Sequence, residues 1–311
     1  MTTLTPHKGV LSPVVTPFDA DLRPDIARLA AQCRWLLSSD VGLAIFGTNS
    51  EANSLGHQER IAILDGLVEA GIPVDRMMPG TGTCALTDTV DLTARAVKHG
   101  CAGVLMLPPF YYKGVSDDGL FAHFAEVIER VGDEKLRVYL YHIPPVSQVP
   151  LSLDLIERLL KAYPKAIAGV KDSGGQWENT AAMISNFGDE GFDVFAGSEA
   201  FLLQTMRAGG KGCISATANV NPAAIAALYE NWQADDADAQ QAALTATRGI
   251  FQSYPMIPAL KAAVAQHSED DTWFNVRPPL VGLTMDQRRN LAADLAAVDF
   301  DMPGLKEASH G

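Results

Sequence analysis

Ala166 to Gly175 reads AIAGVKDSGG, and within it Lys171 ends an apolar run that makes sense only as a buried strand. A lysine there loses solvation in its charged form, which lowers its pKa and frees the amine as a nucleophile near neutral pH. The competing reading is a strand-end lysine that snorkels its ammonium to water. Asp172-Ser173-Gly174-Gly175 follow directly and supply a turn where a barrel strand would open into its site. That placement favours Schiff-base chemistry.

Outward from this strand, short apolar runs alternate with amphipathic stretches. Candidate strands are Gly9 to Pro17, Gly42 to Gly47, Met77 to Gly80, Gly103 to Leu107, Arg137 to Tyr141, Ile167 to Lys171, Asp193 to Gly197 and Gly212 to Ser215. Between them lie helical stripes. Leu120, Phe121, Phe124, Val127, Ile128 and Val131 form one; Ile26, Leu29, Ala30, Cys33 and Leu37 another; Leu155, Ile156, Leu159, Leu160 and Tyr163 a third. Strands buried on both faces and joined by helices imply a parallel sheet, and eight such units close most simply into a (β/α)8 TIM barrel. An open doubly wound sheet is the competing architecture.

The eighth helix falls near Asn221 to Trp232, and Ala234-Asp235-Asp236-Ala237-Asp238 reads as a solvated break. Three helices are expected beyond it: one through Gln240 to Phe251, one starting after Pro258, and one opening at Thr284 with Gln287 as its capping-box partner. The expected division is therefore a barrel carrying the active site over 1–233 and a C-terminal helical extension over 234–311, with a frayed tail from Met302 to Gly311.

Composition bounds the function. The chain has 311 residues, 47% of them hydrophobic and 20% charged, so a large packed core is expected. The formal charge of -13 disfavours nucleic acid and anionic membrane surfaces as partners, though not a small anionic substrate. Met1 to Pro6 lacks the pattern of a secretory signal, and no apolar run is long enough to span a bilayer. Cys33, Cys84, Cys101 and Cys213 have no paired metal spacing and read as free buried thiols. A cytoplasmic location is the expectation.

In a (β/α)8 barrel the site lies at the carboxyl ends of the strands. Those ends carry Gly47-Thr48-Asn49-Ser50-Glu51, Pro108-Pro109-Phe110-Tyr111-Tyr112-Lys113, Tyr141-His142-Ile143-Pro144-Pro145, Lys171, Gly197-Ser198-Glu199 and Ile214-Ser215-Ala216-Thr217-Ala218-Asn219. Taken together, in this order and over nearly the whole chain, these motifs resemble the dihydrodipicolinate synthase and N-acetylneuraminate lyase family of class I, Schiff-base-forming aldolases. The resemblance implies that pyruvate, or a 2-oxo acid that yields it, becomes an imine of Lys171. Tyr141 matches the proton-shuttling tyrosine, Thr48 the hydroxyl in its relay, and Tyr112 the tyrosine that completes the relay from a neighbouring subunit. Asn49 stands where the substrate carboxylate is held; the Ile214 carbonyl lines the pyruvate pocket; Gly197, Ser198 and Glu199 meet the distal part of the substrate. The resemblance also implies a homo-oligomer, a dimer of dimers, with no cofactor and no metal. The chemistry agrees: the imine nitrogen is an electron sink for a bond breaking beside the former carbonyl, and a phenol needs a relay and a cationic neighbour to act as a base near neutral pH.

Two departures matter. The family's loop has Thr-Thr-Gly or Ser-Thr-Gly where this chain has Thr48-Asn49-Ser50, yet Asn49 still donates to a carboxylate. Synthases of the family carry an arginine where this chain has Val146, and a valine cannot hold the aldehyde substrate's carboxylate. That favours an aldolase or dehydratase over 4-hydroxy-tetrahydrodipicolinate synthase, which condenses pyruvate with aspartate semialdehyde. A metal-dependent aldolase needs clustered ligands, and Glu199 and Asp172 lack an obvious further partner. A non-catalytic barrel would not retain Lys171, Tyr141 and Thr48 together. Other residues read as structural: His142 as a hydrogen-bonding side chain, Glu51 as a carboxylate satisfying loop N–H groups, Trp177 as packing, and Gly80-Thr81-Gly82-Thr83 as a tight barrel turn. Arg277 to Pro279 is a further segment considered for contact with the site.

Overall fold

The computed structural model describes residues 8–310, which fall into two compact units, one of residues 8–9 and 73–214 and one of 10–72 and 215–310. Met1 to Pro6, considered above for a signal, lies outside the described residues. The strands are β1 (Gly9–Ser12), β2 (Gly42–Leu43), β3 (Val104–Met106), β4 (Val138–His142), β5 (Ile167–Asp172), β6 (Asp193–Ala196) and β7 (Gly212–Ile214).

In the first unit the strands run side by side in the order β7-β6-β5-β4-β3, each parallel to its neighbours. Helices Asp117–Val131, Leu153–Ala162 and Trp177–Phe187 make the crossovers after β3, β4 and β5. The first two bury most of their expected stripes, Leu120, Phe124, Val127 and Ile128 on one and Leu155, Ile156, Leu159 and Leu160 on the other, while Phe121, Val131 and Tyr163 are only half-buried. The expected strand Met77 to Gly80 forms only a bridge, Gly80 to Leu105. Its backbone does run beside β3, with Ala102 N donating to Met77 O, Leu105 N to Pro79 O and Thr81 N to Leu105 O. Pro79 contributes no N–H, so the ladder is interrupted there.

Tyr139 fixes the packing between β3, β5 and β6. A Cβ on Gly103 or Gly169 would lie 2.7 or 2.8 Å from the Tyr139 ring, and one on Gly169 would also meet Asp193 O at 2.2 Å. The tyrosine therefore requires both glycines. Its hydroxyl donates to the Asp193 carboxylate at 3.2 Å, whose pKa is raised by burial. A register shift at Val138/Tyr139 leaves Tyr141 opposite Lys171 and His142 opposite Asp172.

In the second unit β1 pairs parallel with β2, Leu11 with Gly42 and Ser12 with Leu43. Helix Ile26–Ser38 buries Leu29, Ala30 and Cys33 as expected, together with Trp35 and Leu36. The C-terminal helices are Pro222–Glu230, Ala237–Gln252, Met256–Ser268 and Met285–Ala296, the last with the expected Thr284–Gln287 capping box. The third starts before Pro258, not after it; proline's missing N–H falls among the first-turn donors that have no partner within the helix. Within the tail expected to fray, Leu305–His310 is helical and Met302 and Leu305 are buried, while Gly311 lies outside the described residues. Cys84 is also a correction, because it is exposed at the turn before helix Leu86–His99, while Cys33, Cys101 and Cys213 are buried free thiols. Burial pushes the Cys33 and Cys101 thiols up to about 12.

Candidate active site

Parallel register places residues that face each other across β4 and β5 on the same side of the sheet, and successive residues on opposite sides. Tyr141 and Lys171 therefore share one face, and His142 and Asp172 the other. On the first face the Lys171 amine is 3% exposed as a residue and lies 3.3 Å from the Tyr141 hydroxyl. The same nitrogen stands 4.3 Å from the centroid of the Tyr141 ring. A cation or imine nitrogen at that point is thus covered by the π-face and reached by the phenol. Phe195 pairs with Lys171 from β6.

The opposite face is a support. Asp172 accepts from Gly174 N at 2.8 Å, from the Thr180 hydroxyl at 2.6 Å and from the Asn179 amide at 3.1 Å. These bonds fold the Ser173-Gly174-Gly175 turn against the start of helix Trp177–Phe187. His142 Nδ1 accepts from Leu151 N at 3.1 Å, and its Nε2 lies 3.9 Å from Asp172. Burial lowers the His142 pKa, against the opposing pull of Asp172, so the imidazole is neutral and serves as a structural hydrogen-bonding group. Gly174 fits between Asp172 and His142: a Cβ would lie 3.0 Å from the carboxylate and 3.4 Å from the ring.

Gly197, after β6, donates its N–H to Asp172 O at 2.7 Å, which ties the two strand ends together directly. A Cβ on it would meet Ser173 Oγ at 2.1 Å and Asp172 O at 2.7 Å, so only glycine permits this approach. The Ser198 hydroxyl accepts from Ala200 N at 3.1 Å, Glu199 is buried, and Ile214 ends β7 fully buried. Trp177 stacks on Phe201 with 6.3 Å between centroids and is packing, as the sequence suggests. Gly82 approaches Leu107 so closely that a Cβ would lie 2.2 Å from its carbonyl oxygen, so Gly80–Thr83 is not the expected tight turn but an extended segment running on beside the end of β3.

Tyr112 stands differently. It is 73% exposed, edge-on to an equally exposed Tyr111, on the loop after β3. Lys113 donates to Phe110 O and, at 2.8 Å, to Ser147 O, which links this loop to the short helix Pro144–Ser147. Val146, on that helix, is 62% exposed.

Thr48 and Asn49 belong to the second unit, in a run of tight turns after β2. Ser50 N and Ala52 N donate to Gly47 O, and Glu51 N donates to Thr48 O. Ser50 Oγ accepts from Gly47 N at 3.1 Å, and Ser50 O accepts from the Thr16 hydroxyl at 2.7 Å. Glu51 adopts a left-handed φ of 55°. Its buried carboxylate pairs with Lys261, a residue the sequence reading passed over, and accepts from Arg277 N at 3.0 Å. Arg277 thus meets the Glu51 turn, and its guanidinium grips Glu59.

Residues 6–298 match the model of the dihydrodipicolinate synthetase family. The chain belongs to this family. Over 300 residues, 96% of this chain and 98% of the relative, it is 32% identical to an uncharacterized DapA-like lyase of Chloroflexus aurantiacus. Among solved structures it resembles dihydrodipicolinate synthase from Agrobacterium tumefaciens, with 34% identity, a TM-score of 0.86, and coverage of 94% of this chain and 99% of that one. It also resembles YagE, an E. coli prophage protein of the dihydrodipicolinic acid synthase family solved in complex with pyruvate. There the identity is 27% and the TM-score 0.85, covering 95% and 100% of the two chains. The fold class is accordingly α/β of the (β/α)8 barrel type with C-terminal helices, and the chain is a lyase of this family. No helix among the described residues is long and apolar enough to cross a membrane.

Proposed function

We propose that Lys171 forms a Schiff base with pyruvate or a related 2-oxo acid, and that the enzyme makes or breaks a C–C or C–O bond next to the imine carbon. The observation that carries this reading is the buried Lys171 amine at the end of β5, 3.3 Å from the Tyr141 phenol. The amine attacks the carbonyl carbon, the oxygen leaves as water, and the resulting iminium accepts the electron pair of the bond that breaks. Tyr141 moves the protons of these steps, with Thr48 and the Tyr112 of a second copy completing the relay. Asn49 holds the substrate carboxylate, the Ile214 carbonyl lines the pocket, and Gly197, Ser198 and Glu199 face the distal end of the substrate. The exposure of Tyr111 and Tyr112 supports an interface at that loop, and a homotetramer is part of the proposal. So are a barrel over 1–233, an extension over 234–311, and a cytoplasmic location.

Proton exchange tests the reaction class without knowledge of the aldehyde partner. In D2O the C3 protons of any 2-oxo acid held as an imine are lost through the enamine. A panel of 2-oxo acids including pyruvate should show catalysed exchange with the wild type and none with Lys171→Ala. No exchange with any member of the panel would overturn the proposal.

A second reading, 4-hydroxy-tetrahydrodipicolinate synthase, draws on the name of the Agrobacterium structure. Val146 argues against it, because the clamp for a second carboxylate is missing. A hydrogen bond to a charged group contributes up to about 1.5–3 kcal/mol, so its loss lowers specificity by up to roughly tenfold to a hundredfold. Efficient condensation of pyruvate with aspartate semialdehyde would restore that reading.

A further inference from the structure

The second unit contains an ion pair that the proposed chemistry does not use. The Lys261 and Glu51 side chains are both fully buried and bonded to each other. Lys261 lies in the helix Met256–Ser268, whose residues 258–265 are all buried, so its side chain is not in contact with bulk solvent. Its other contacts are Asn275 O at 2.7 Å and the ring of Phe18, 4.4 Å to the centroid. Burial brings its pKa down to about 8. The Arg277 guanidinium covers the same ring at 4.7 Å, donates to Leu22 O and Ser54 O, and holds both oxygens of Glu59.

Desolvating two full charges is expensive, and well-packed apolar residues would stabilise such a site as well or better. The geometry points to another use. Glu51 closes the turn that carries Thr48 and Asn49: its N–H bonds Thr48 O, and its backbone is left-handed, a strained conformation for glutamate. Its two carboxylate oxygens are taken by two donors from different parts of the C-terminal segment, the Lys261 amine and the Arg277 N–H. We infer that Lys261 and Glu51 are positioning residues, a buried clamp by which the C-terminal segment sets the Thr48–Asn49 turn in its substrate-binding form. The inference rests on the proposal that this turn holds the substrate carboxylate.

The test separates positioning from bulk stability. Glu51→Gln keeps the shape, but its amide NH2 must face one of two donors, so one hydrogen bond is lost. Lys261→Met leaves a carboxylate buried without its partner, and the pair Glu51→Gln/Lys261→Met removes both charges together. For each protein, borohydride trapping at Lys171 is titrated with 2-oxo acid, thermal midpoints are recorded, and hydrogen exchange is followed on the peptide containing residues 47–51. The 2-oxo acid half-saturation should rise about tenfold or more in Glu51→Gln, as for the loss of one charge-assisted hydrogen bond. The trapping plateau should be retained, and amides of 47–51 should exchange faster. The double variant should recover part of the affinity lost in Lys261→Met. If Lys261→Met does not fold, Glu51→Gln and the double variant still decide the matter. Lower thermal midpoints with unchanged half-saturation would mean that the pair only stabilises the fold, and the inference falls. A wild type that traps no 2-oxo acid would instead overturn the reading of the site on which the inference depends.

Discussion

Replacing Tyr141 by phenylalanine removes one oxygen from a buried face and leaves the ring in place over the Lys171 amine. The ground-state loss follows from the geometry. At 3.3 Å the contact with Lys171 is long for a bond to a hydroxyl, so that bond by itself contributes near the low end of the usual range of about 0.5–1.5 kcal/mol. One kcal/mol moves the melting temperature by about 2–4 °C in chains of 150–250 residues, so Tyr141→Phe should melt within a few degrees of the wild type. The catalytic loss is of another order. A positioned proton donor and acceptor contributes about 10²–10⁴-fold, and the phenyl ring left at position 141 supplies no proton. The assay is C3 proton exchange of the accepted 2-oxo acid in D2O, followed by NMR beside a thermal melt of the same sample. Exchange at close to the wild-type rate in a folded Tyr141→Phe protein would refute the relay. A collapsed melting temperature would show that the residue is structural.

Gly197→Ala should destabilise by about 1–3 kcal/mol or more, because the added carbon meets backbone at Asp172 and Ser173; an unchanged urea midpoint would contradict the close approach of the strand ends. Tyr112→Phe should slow turnover strongly without changing the mass measured by light scattering, and an active monomeric wild type would refute a shared site. Between pH 8 and 10.5 the unfolded chain binds more protons at Lys261 than the folded one, so this group's contribution to stability rises with pH across that window. The wild-type minus Lys261→Met difference in unfolding free energy would read it, and a fall with pH would contradict the burial argument. At the acid end, the bond to Arg277 lowers the Glu59 pKa, so its contribution is present above about pH 4.5 and is lost as pH falls through the folded value; Glu59→Gln should flatten that loss.

The strands were legible because each is a short run buried on both faces; at Met77 to Gly80 hydrophobicity predicts a strand, but Pro79 removes a donor that hydrophobicity does not register. Lys171 stood out as a charge at the end of an apolar run, and its tie to Tyr141 depends on a register shift at Val138/Tyr139 that no local pattern encodes. Lys261 was equally visible in principle, a lone charge in the apolar stretch from Met256 to Ala265. Sequence alone does not mark it as special, because a lysine within a helix ordinarily faces water and its partner Glu51 lies 210 positions away in the chain. The docking of the tail is hidden for a similar reason: Met302 and Leu305 are two isolated apolar residues, and only tertiary contacts bury them.

Reductive trapping addresses the central claim most directly. Borohydride added in the presence of pyruvate or another accepted 2-oxo acid, followed by peptide mapping, should leave one reduced adduct on Lys171 and none in Lys171→Ala. No adduct in the wild type, or an adduct on a different lysine such as Lys261 that persists in Lys171→Ala, would contradict the assignment of Lys171 as the Schiff-base residue.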